Sequence, residues 1–376
     1  MQYRTIGLMS GSSLDGLDIV YAELEENAGK WSYDIKAAAC IEYNNEWQQK
    51  LKTAPQSGAY EYLLLHTAYG KFIAEKVNDF IADNDLYHKV QLIASHGHTA
   101  FHAPYLGMTA QLGNGATIAA LTGINVVSDL RMMDVALGGQ GAPIVPVGEK
   151  LLLKDYEYFL NLGGIANISA NSNTYIAFDV CPANRVLNML ANKEEKAYDD
   201  KGQIAKSGSV NLALFEQLNN QNYYKQSYPK SLANDFGTEV IFPLIQSSGI
   251  SNADKLRTYV EHIVQQIVNA INNIQHSTSN IQHPTSNVQY STSNVQLLVT
   301  GGGAFNDFLI ERLNDAVKIF NIDVIIPDNN LIQFKEALIM ALLGVLRWRE
   351  EDTVISTVTG ASRGSIGGAV WMGLEA

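Results

Sequence analysis

Twice along this chain, three strand-like segments follow one another at hairpin spacing and then give way to an alternation of helix and strand. Tyr3–Leu8, Leu17–Glu25 and Trp31–Tyr43 open the first run, with Ser10–Gly16 as its first turn. From Tyr60 to Ala82, Leu65, Ala68, Phe72, Val77, Phe80 and Ile81 recur at three- to five-residue steps, which predicts one face of a helix. Val90–Ser95 and Asn125–Ser128 read as strands around a helical Ala116–Thr122. After Asp134 the plan restarts with Tyr158–Leu162, Asn167–Ala170 and Tyr175–Phe178. A long helix follows, carrying Leu256, Tyr259, Val260, Ile263, Val264, Ile267 and Ile271 on one stripe, then the short strand Leu297–Thr300 and a helix over Ala337–Arg349. One plan used twice predicts two α/β lobes with a cleft between them. The restart places one lobe at 1–133, with 360–376 returning to it, and the other at 134–359.

A chain of 376 residues is also too long for one ordinary core. Its net charge of −12 speaks against a nucleic-acid binder, which usually shows a basic face. Cys40 and Cys181 are too few for a disulfide framework or a cysteine-rich zinc site. No export-type leader and no bilayer-length apolar run stand out, so the expectation is a cytoplasmic protein that binds neither membrane nor nucleic acid.

One stretch fits no core. NIQHSTS at 273–279, NIQHPTS at 280–286 and NVQYSTS at 287–293 are near copies, and a partial fourth begins at Asn294. The period matches a heptad, yet the units are polar, contain Pro284 and lack an apolar seam. A duplicated surface loop over 273–296, between helix and strand, is the expectation. His276 and His283 repeat there without acidic or cysteine partners, which argues against a metal site.

Three turns rich in small residues fall where strands should end. The first runs Met9–Asp18 and includes Gly11, Ser12, Ser13, Asp15 and Gly16. Glycines let the backbone approach a ligand, and consecutive N–H groups with serine hydroxyls can cup phosphate oxygens; a plain hairpin turn is the other reading. No Gly-Lys-Ser/Thr follows, so this is not a Walker loop. The second turn is Asn161–Asn167, with Gly163 and Gly164; the third is Thr300–Asn306, with Gly301, Gly302 and Gly303 opening a helix. Neither has the spacing of the dinucleotide fingerprint.

These turns, with LMSGSSLDGLD from Leu8, SHGHT from Ser95, the block Gln111–Pro143, FDVCPAN from Phe178 and KEALIMALLG from Lys335, resemble the anhydro-N-acetylmuramic acid kinase family. The resemblance covers nearly the whole chain except the repeat. It implies the two-lobed actin-like, ribonuclease H-like α/β ATPase fold, with ATP and sugar meeting in the interlobe cleft. It puts two phosphate motifs on Met9–Asp18 and Asn161–Asn167, an adenosine motif on Gly301–Asn306, and the catalytic base on Asp179. The implied reaction has water attack C1 of 1,6-anhydro-N-acetylmuramic acid while the freed O6 takes the γ-phosphoryl group of ATP, with Mg²⁺ as cofactor and no ligand residue assigned to it. A homodimer is implied as well.

Asp179 ends a predicted strand, where open α/β sheets present ligands, although a strand-terminal aspartate also forms turns or caps helices. His96, His98, Thr99, Asp129, Arg131, Asn184 and Glu336 are the implied sugar contacts. Arg131 suits the lactyl carboxylate by a forked hydrogen bond, with an interlobe salt bridge as the alternative. Glu336 can equally be a helix-surface glutamate. Two departures stand out: His98 replaces the family's usual glutamine, and Val180-Cys181-Pro182-Ala183-Asn184 replaces Thr-Gly-Pro-Gly-Asn. Losing two glycines stiffens a turn beside the expected base. Competing readings are a kinase for another anhydrosugar such as levoglucosan, and a non-catalytic nucleotide-responsive sugar binder.

Overall fold

A computed structural model describes residues 1–11, 14–171, 175–228, 230–233, 235–279 and 294–373. The chain divides into two compact units, Met1–Lys154 with Phe334–Ala376, and Asp155–Gln333.

In the first unit β1 (Gln2–Ser10), β2 (Gly16–Asn27) and β3 (Lys30–Glu42) form an antiparallel meander. β4 (Leu92–Ala103) returns parallel to β1, and β5 (Met108–Leu112) folds back on β4 as a hairpin. β6 (Val126–Ser128) lies parallel to β4, and β12 (Ala369–Trp371) closes the order β12-β6-β4-β1-β2-β3. The second unit repeats the plan. β7 (Tyr158–Leu162), β8 (Ile165–Ala170) and β9 (Ile176–Pro182) form the meander. β10 (Val295–Thr300) runs parallel to β7, and β11 (Ile322–Ile325) parallel to β10, giving β11-β10-β7-β8-β9. Both sheets therefore share the strand order of the ribonuclease H-like fold, a meander extended by parallel strands on its first member.

Each sheet holds a helix against its own core. In the second unit the helix Asn252–Ser279 buries Leu256, Tyr259, Val260, Ile263, Ile267 and Ile271 completely. Its N-terminus is fixed by the Ser251 hydroxyl, which accepts the Asp254 N–H at 3.1 Å. At roughly 1.5–3 kcal/mol for each large apolar side chain removed from water, that stripe outweighs any propensity term. In the first unit the helix Asn329–Trp348 crosses β1 where both surfaces are smallest. A Cβ on Gly7 would fall 1.9 Å from the Ala337 carbonyl oxygen and 2.7 Å from the Ala341 nitrogen.

The division differs from the expected one. Residues 134–154 and 334–359 belong with the first sheet, so the chain crosses at 154/155 and 333/334 instead of 133/134 and 359/360. The reason is local. Asp134 is fully buried, and its carboxylate accepts the Gly141 N–H at 2.7 Å and the Thr359 hydroxyl at 2.7 Å. A bare Gly148 also meets Ile339, where a Cβ would lie 2.4 Å from Cγ1.

The repeat differs too. Its first copy, 273–279, continues the helix Asn252–Ser279, and its last residues, Val295 and Gln296, open β10. The Leu256–Ile271 stripe runs on through a buried Ile274, which carries the helix into the first copy. The copies at 280–293, with His283 and Pro284, lie outside the described residues. Among the described residues no helix is long and apolar enough to cross a membrane.

Two outcomes follow from this packing. Gly7→Ala should lose roughly 3 kcal/mol or more in urea unfolding, because backbone atoms on the helix cannot yield to a methyl group. A loss under about 0.5 kcal/mol would mean that strand and helix are not in contact there.

The second concerns acid. Burial lowers His96 to about 3, His98 to about 4 and His262 to about 3. The unfolded chain protonates these imidazoles near pH 6.5 and the folded chain does not, so their stabilisation is complete above about pH 6.5 and is lost as pH falls below it. Asp18, raised to about 6 by burial, works the other way, since the folded state takes its proton first. His98→Gln should therefore flatten the acid loss of stability by about 1.4 kcal/mol per pH unit between roughly pH 6 and pH 4.5. Parallel curves for variant and wild type would show that His98 is not held neutral.

Candidate functional site

The second unit brings two of the three turns together through one pairing. β7 and β10 are parallel, with Leu297 opposite Tyr158 and Thr300 opposite Asn161. β10 ends at this pair and β7 one residue later, at Leu162, so the Asn161–Gly164 and Gly301–Asn306 turns leave the sheet side by side.

Gly301 has φ +80°, and a Cβ there would lie 2.3 Å from Asn161 Oδ1; on Gly303 it would lie 2.6 Å from Leu162 Cβ. The fold itself demands glycine at those two positions. Gly163, Gly164 and Gly302 are different. None has positive φ, and a Cβ on them would meet nothing closer than 3.4, 3.7 and 3.5 Å respectively. Neither backbone conformation nor a clash demands glycine there, since a Cβ would make only ordinary van der Waals contacts with Ile165, Arg185 and Asn184.

The peptides around Gly163 and Gly164 are oriented by the helix Asn184–Ala191. The Asn184 N–H donates to the Gly163 carbonyl at 3.0 Å, and the Ala183 N–H to the Gly164 carbonyl at 2.8 Å. In trans peptides the N–H opposes the C=O, so the Gly164 and Ile165 N–H groups point away from that helix. Paired amides aimed outward suit an anion. Beside them the Thr300 hydroxyl is buried with no partner among the described residues. Asn306 takes a structural place: its side chain accepts the Leu309 N–H at 3.0 Å and caps the helix Asp307–Val317.

Asp179 is not at the end of its strand. β9 runs on to Pro182, and Asp179 pairs with Asn167 at a bulge, since Ala166 pairs with Cys181 and Val180 is the extra residue. Bulges re-aim side chains, and this one turns a mid-strand carboxylate. Asp179 Oδ2 accepts the Leu232 N–H at 2.8 Å, and its backbone carbonyl accepts the Tyr223 hydroxyl at 2.7 Å. Burial raises its pKa against the lowering effect of the Leu232 bond. At the two positions where glycine was expected, Cys181 and Ala183 have negative φ and are fully buried in the core, with Ala183 at φ −126° and ψ −103°.

In the first unit, β4 extends through His96, His98 and Thr99 instead of ending at Ser95, because residues 98–103 pair with β5. Gly97, at φ +71°, kinks the strand between the two histidines. His96 Nε2 accepts the Arg131 Nε–H at 2.8 Å while its Nδ1 bonds the Gly97 carbonyl at 2.8 Å, which fixes one neutral tautomer. Tyr43 donates to the Ser10 hydroxyl at 2.8 Å, and Ser10 lies 3.1 Å from His98 Nδ1. Thr99 is exposed.

Arg131 also donates from Nη1 to the Gly141 carbonyl, so Nε and one terminal nitrogen both have partners within this unit, and Nη2 is the nitrogen left for a carboxylate. Burial lowers Arg131 to about 10 although Glu336 and Asp134 favour its charge. Asp129 adopts φ +59° and accepts the Ser128 hydroxyl at 2.6 Å. Half-buried Glu336 exerts its charge on both Arg131 and Asp18. Asp18 is the group that sequence reasoning passed over. The signal was a carboxylate among the alternating apolar residues of Leu17–Leu24.

In the first turn, Gly16 is a packing glycine, with Cys40 Sγ 2.7 Å from where its Cβ would be. Asp15 is exposed, and the Gly11 carbonyl accepts the Leu14 N–H at 3.4 Å. Ser12 and Ser13 lie outside the described residues.

Comparisons with known proteins identify the family of the chain. A family model for anhydro-N-acetylmuramic acid kinase matches residues 3–373. The anhydro-N-acetylmuramic acid kinase of Sulfurovum sp. (strain NBC37-1) is 31% identical, covering 98% of this chain and 99% of its own. That of Aliivibrio fischeri is 32% identical, covering 96% of each. Among solved structures, the activator of the 2-hydroxyisocaproyl-CoA dehydratase from Clostridium difficile, with bound ADPNP, covers 92% of this chain and 96% of its own at 16% identity and a TM-score of 0.43. With the family model spanning both units, the chain belongs to the anhydro-N-acetylmuramic acid kinase family.

Proposed function

We propose that this chain opens the 1,6-anhydro ring of 1,6-anhydro-N-acetylmuramic acid and phosphorylates the released O6 with ATP. The observation that carries the reading is the pair of glycine turns at the ends of β7 and β10, with three glycines the fold does not need, in the same sheet as a re-aimed carboxylate on β9.

Asp179 takes a proton from water as the water oxygen bonds C1 and the C1–O6 bond breaks. O6 then bonds the γ-phosphorus as the bond to the β,γ-bridging oxygen breaks, leaving ADP and N-acetylmuramic acid 6-phosphate. The Leu232 N–H holds one carboxylate oxygen, so the other is the one that meets water. The outward amides of Gly164 and Ile165 and the bare Gly302 receive the nucleotide. Among the described residues no three metal-ligating side chains converge, which suits Mg²⁺ carried on the nucleotide's phosphates with one or two carboxylates; Asp15 and Asp18 are those this chain offers. When bound, the ion neutralises phosphate charge. Nη2 of Arg131 receives the lactyl carboxylate, with Glu336 on sugar hydroxyls. Access to ATP places this work in the cytoplasm.

Asp179→Asn should lower kcat by roughly 10²–10⁴-fold with ADP affinity nearly unchanged. In ¹⁸O-labelled water the wild-type product, quenched before anomeric exchange, should carry label on the sugar and none in the phosphate. Near-normal turnover by a folded Asp179→Asn variant, or label in the phosphate, would overturn the mechanism. Because its raised pKa delays ionisation, kcat should also fall with acid from a pH above the ordinary carboxylate range.

Gly163→Ala supplies the converse of the Gly7 change. Its melting temperature should stay within a few degrees of wild type, while KM for ATP rises about tenfold as a methyl group enters the space assigned to phosphate. An unchanged KM would move the nucleotide elsewhere.

A further inference from the structure

Asn184, one of the implied sugar contacts, bonds within the protein to the β7–β8 turn. Its N–H donates to Gly163, and its Nδ2 donates to the Leu162 carbonyl at 2.8 Å, so one residue holds two successive carbonyls of the β7–β8 turn. The same carboxamide lies against the other turn. Its Oδ1 is 3.1 Å from where a Cβ on Gly303 would be, and its Nδ2 is 3.5 Å from where one on Gly302 would be. Larger residues at 302 or 303 would meet this side chain. A residue bonded to one turn and packed against the next sets the gap between them.

From this geometry we propose that Asn184 is a positioning residue for the nucleotide, fixing the separation of the Asn161–Gly164 and Gly301–Asn306 turns, and not a sugar contact. The proposal rests on the assignment of those turns to ATP. Alanine at 184 keeps the backbone bond to Gly163 but releases Leu162 and empties the space between the turns. Aspartate keeps the shape but replaces the donor by an oxygen facing the Leu162 carbonyl oxygen, and adds negative charge beside the proposed phosphate site. The helix start tolerates either residue, so folding should survive both changes.

The test combines steady-state kinetics with calorimetric titration of ADP, which needs no turnover. Asn184→Ala should raise KM for ATP about tenfold and weaken ADP to a similar degree, and Asn184→Asp should do more. KM for the anhydrosugar should stay within about twofold, with little change in melting temperature. If the Asn184 side chain acts by holding the turn that starts at Leu162, Gly163→Ala added to Asn184→Ala should cost much less than the product of the single effects. A rise in sugar KM with unchanged ADP affinity would overturn the proposal and return Asn184 to the sugar. An equal loss in every parameter with a lowered melting temperature would overturn it in favour of a purely structural role. If wild-type protein binds ADP but shows no turnover with the anhydrosugar, the reaction assignment fails while the ADP titrations still decide the role of Asn184.

Discussion

The parallel pairing of β7 with β10 is the constraint on which the second unit's site depends. Register places Thr300, the last residue of β10, opposite Asn161, and β7 ends one residue further on at Leu162. One residue of slip would reverse every side chain on β10, sending Leu297 and Val299 out of the core. The burial of those residues therefore fixes where the two turns meet. Gly301 and Gly303 follow from the same fact. With Leu162 directly alongside, only bare backbone fits, and the left-handed φ of Gly301 redirects the chain into the helix Asp307–Val317.

The bulge in β9 makes a similar link between core and chemistry. Val180 and Cys181 are both buried, and a strand with strict alternation could not put both inside while still presenting Asp179. The extra residue resolves that conflict. It also gives Val180-Cys181-Pro182-Ala183 a place in the core where the family resemblance led glycines to be expected. The bulge keeps φ negative at these positions, so side chains enter the core and anchor the strand. The Tyr259 hydroxyl donates to the Pro182 carbonyl at 2.7 Å from the long helix, holding the bulged end in place.

Most of the architecture was legible from periodicity, because β7 and the long helix bury uninterrupted apolar patterns. The boundaries failed where polar residues do structural work. β4 was cut short at Ser95 since His96, His98 and Thr99 read as a polar loop, and only pairing with β5 keeps them extended. Asp134 read as a lobe boundary, although its carboxylate is the buried clasp between the 138–141 loop and Thr359. Asn306, which the resemblance puts in the adenosine motif, also caps the next helix, a role that the sequence reading did not give it. In each case a single side chain had two possible employers, and the three-dimensional partner decided between them.

Glycine gave the same ambiguity in sharper form, and the structure separates its two uses. Gly7, Gly16, Gly148 and Gly303 are bare because protein atoms already occupy the space a Cβ would need. Gly163, Gly164 and Gly302 are bare with no such neighbour. A glycine costs roughly 0.5–1 kcal/mol of chain entropy relative to alanine, so retaining one without a packing or φ requirement needs another return. In the proposed reading, close approach of the nucleotide supplies it. The sequence motif shows only that small residues cluster; that three among them have neither a clash nor a φ requirement is what supports putting the nucleotide there.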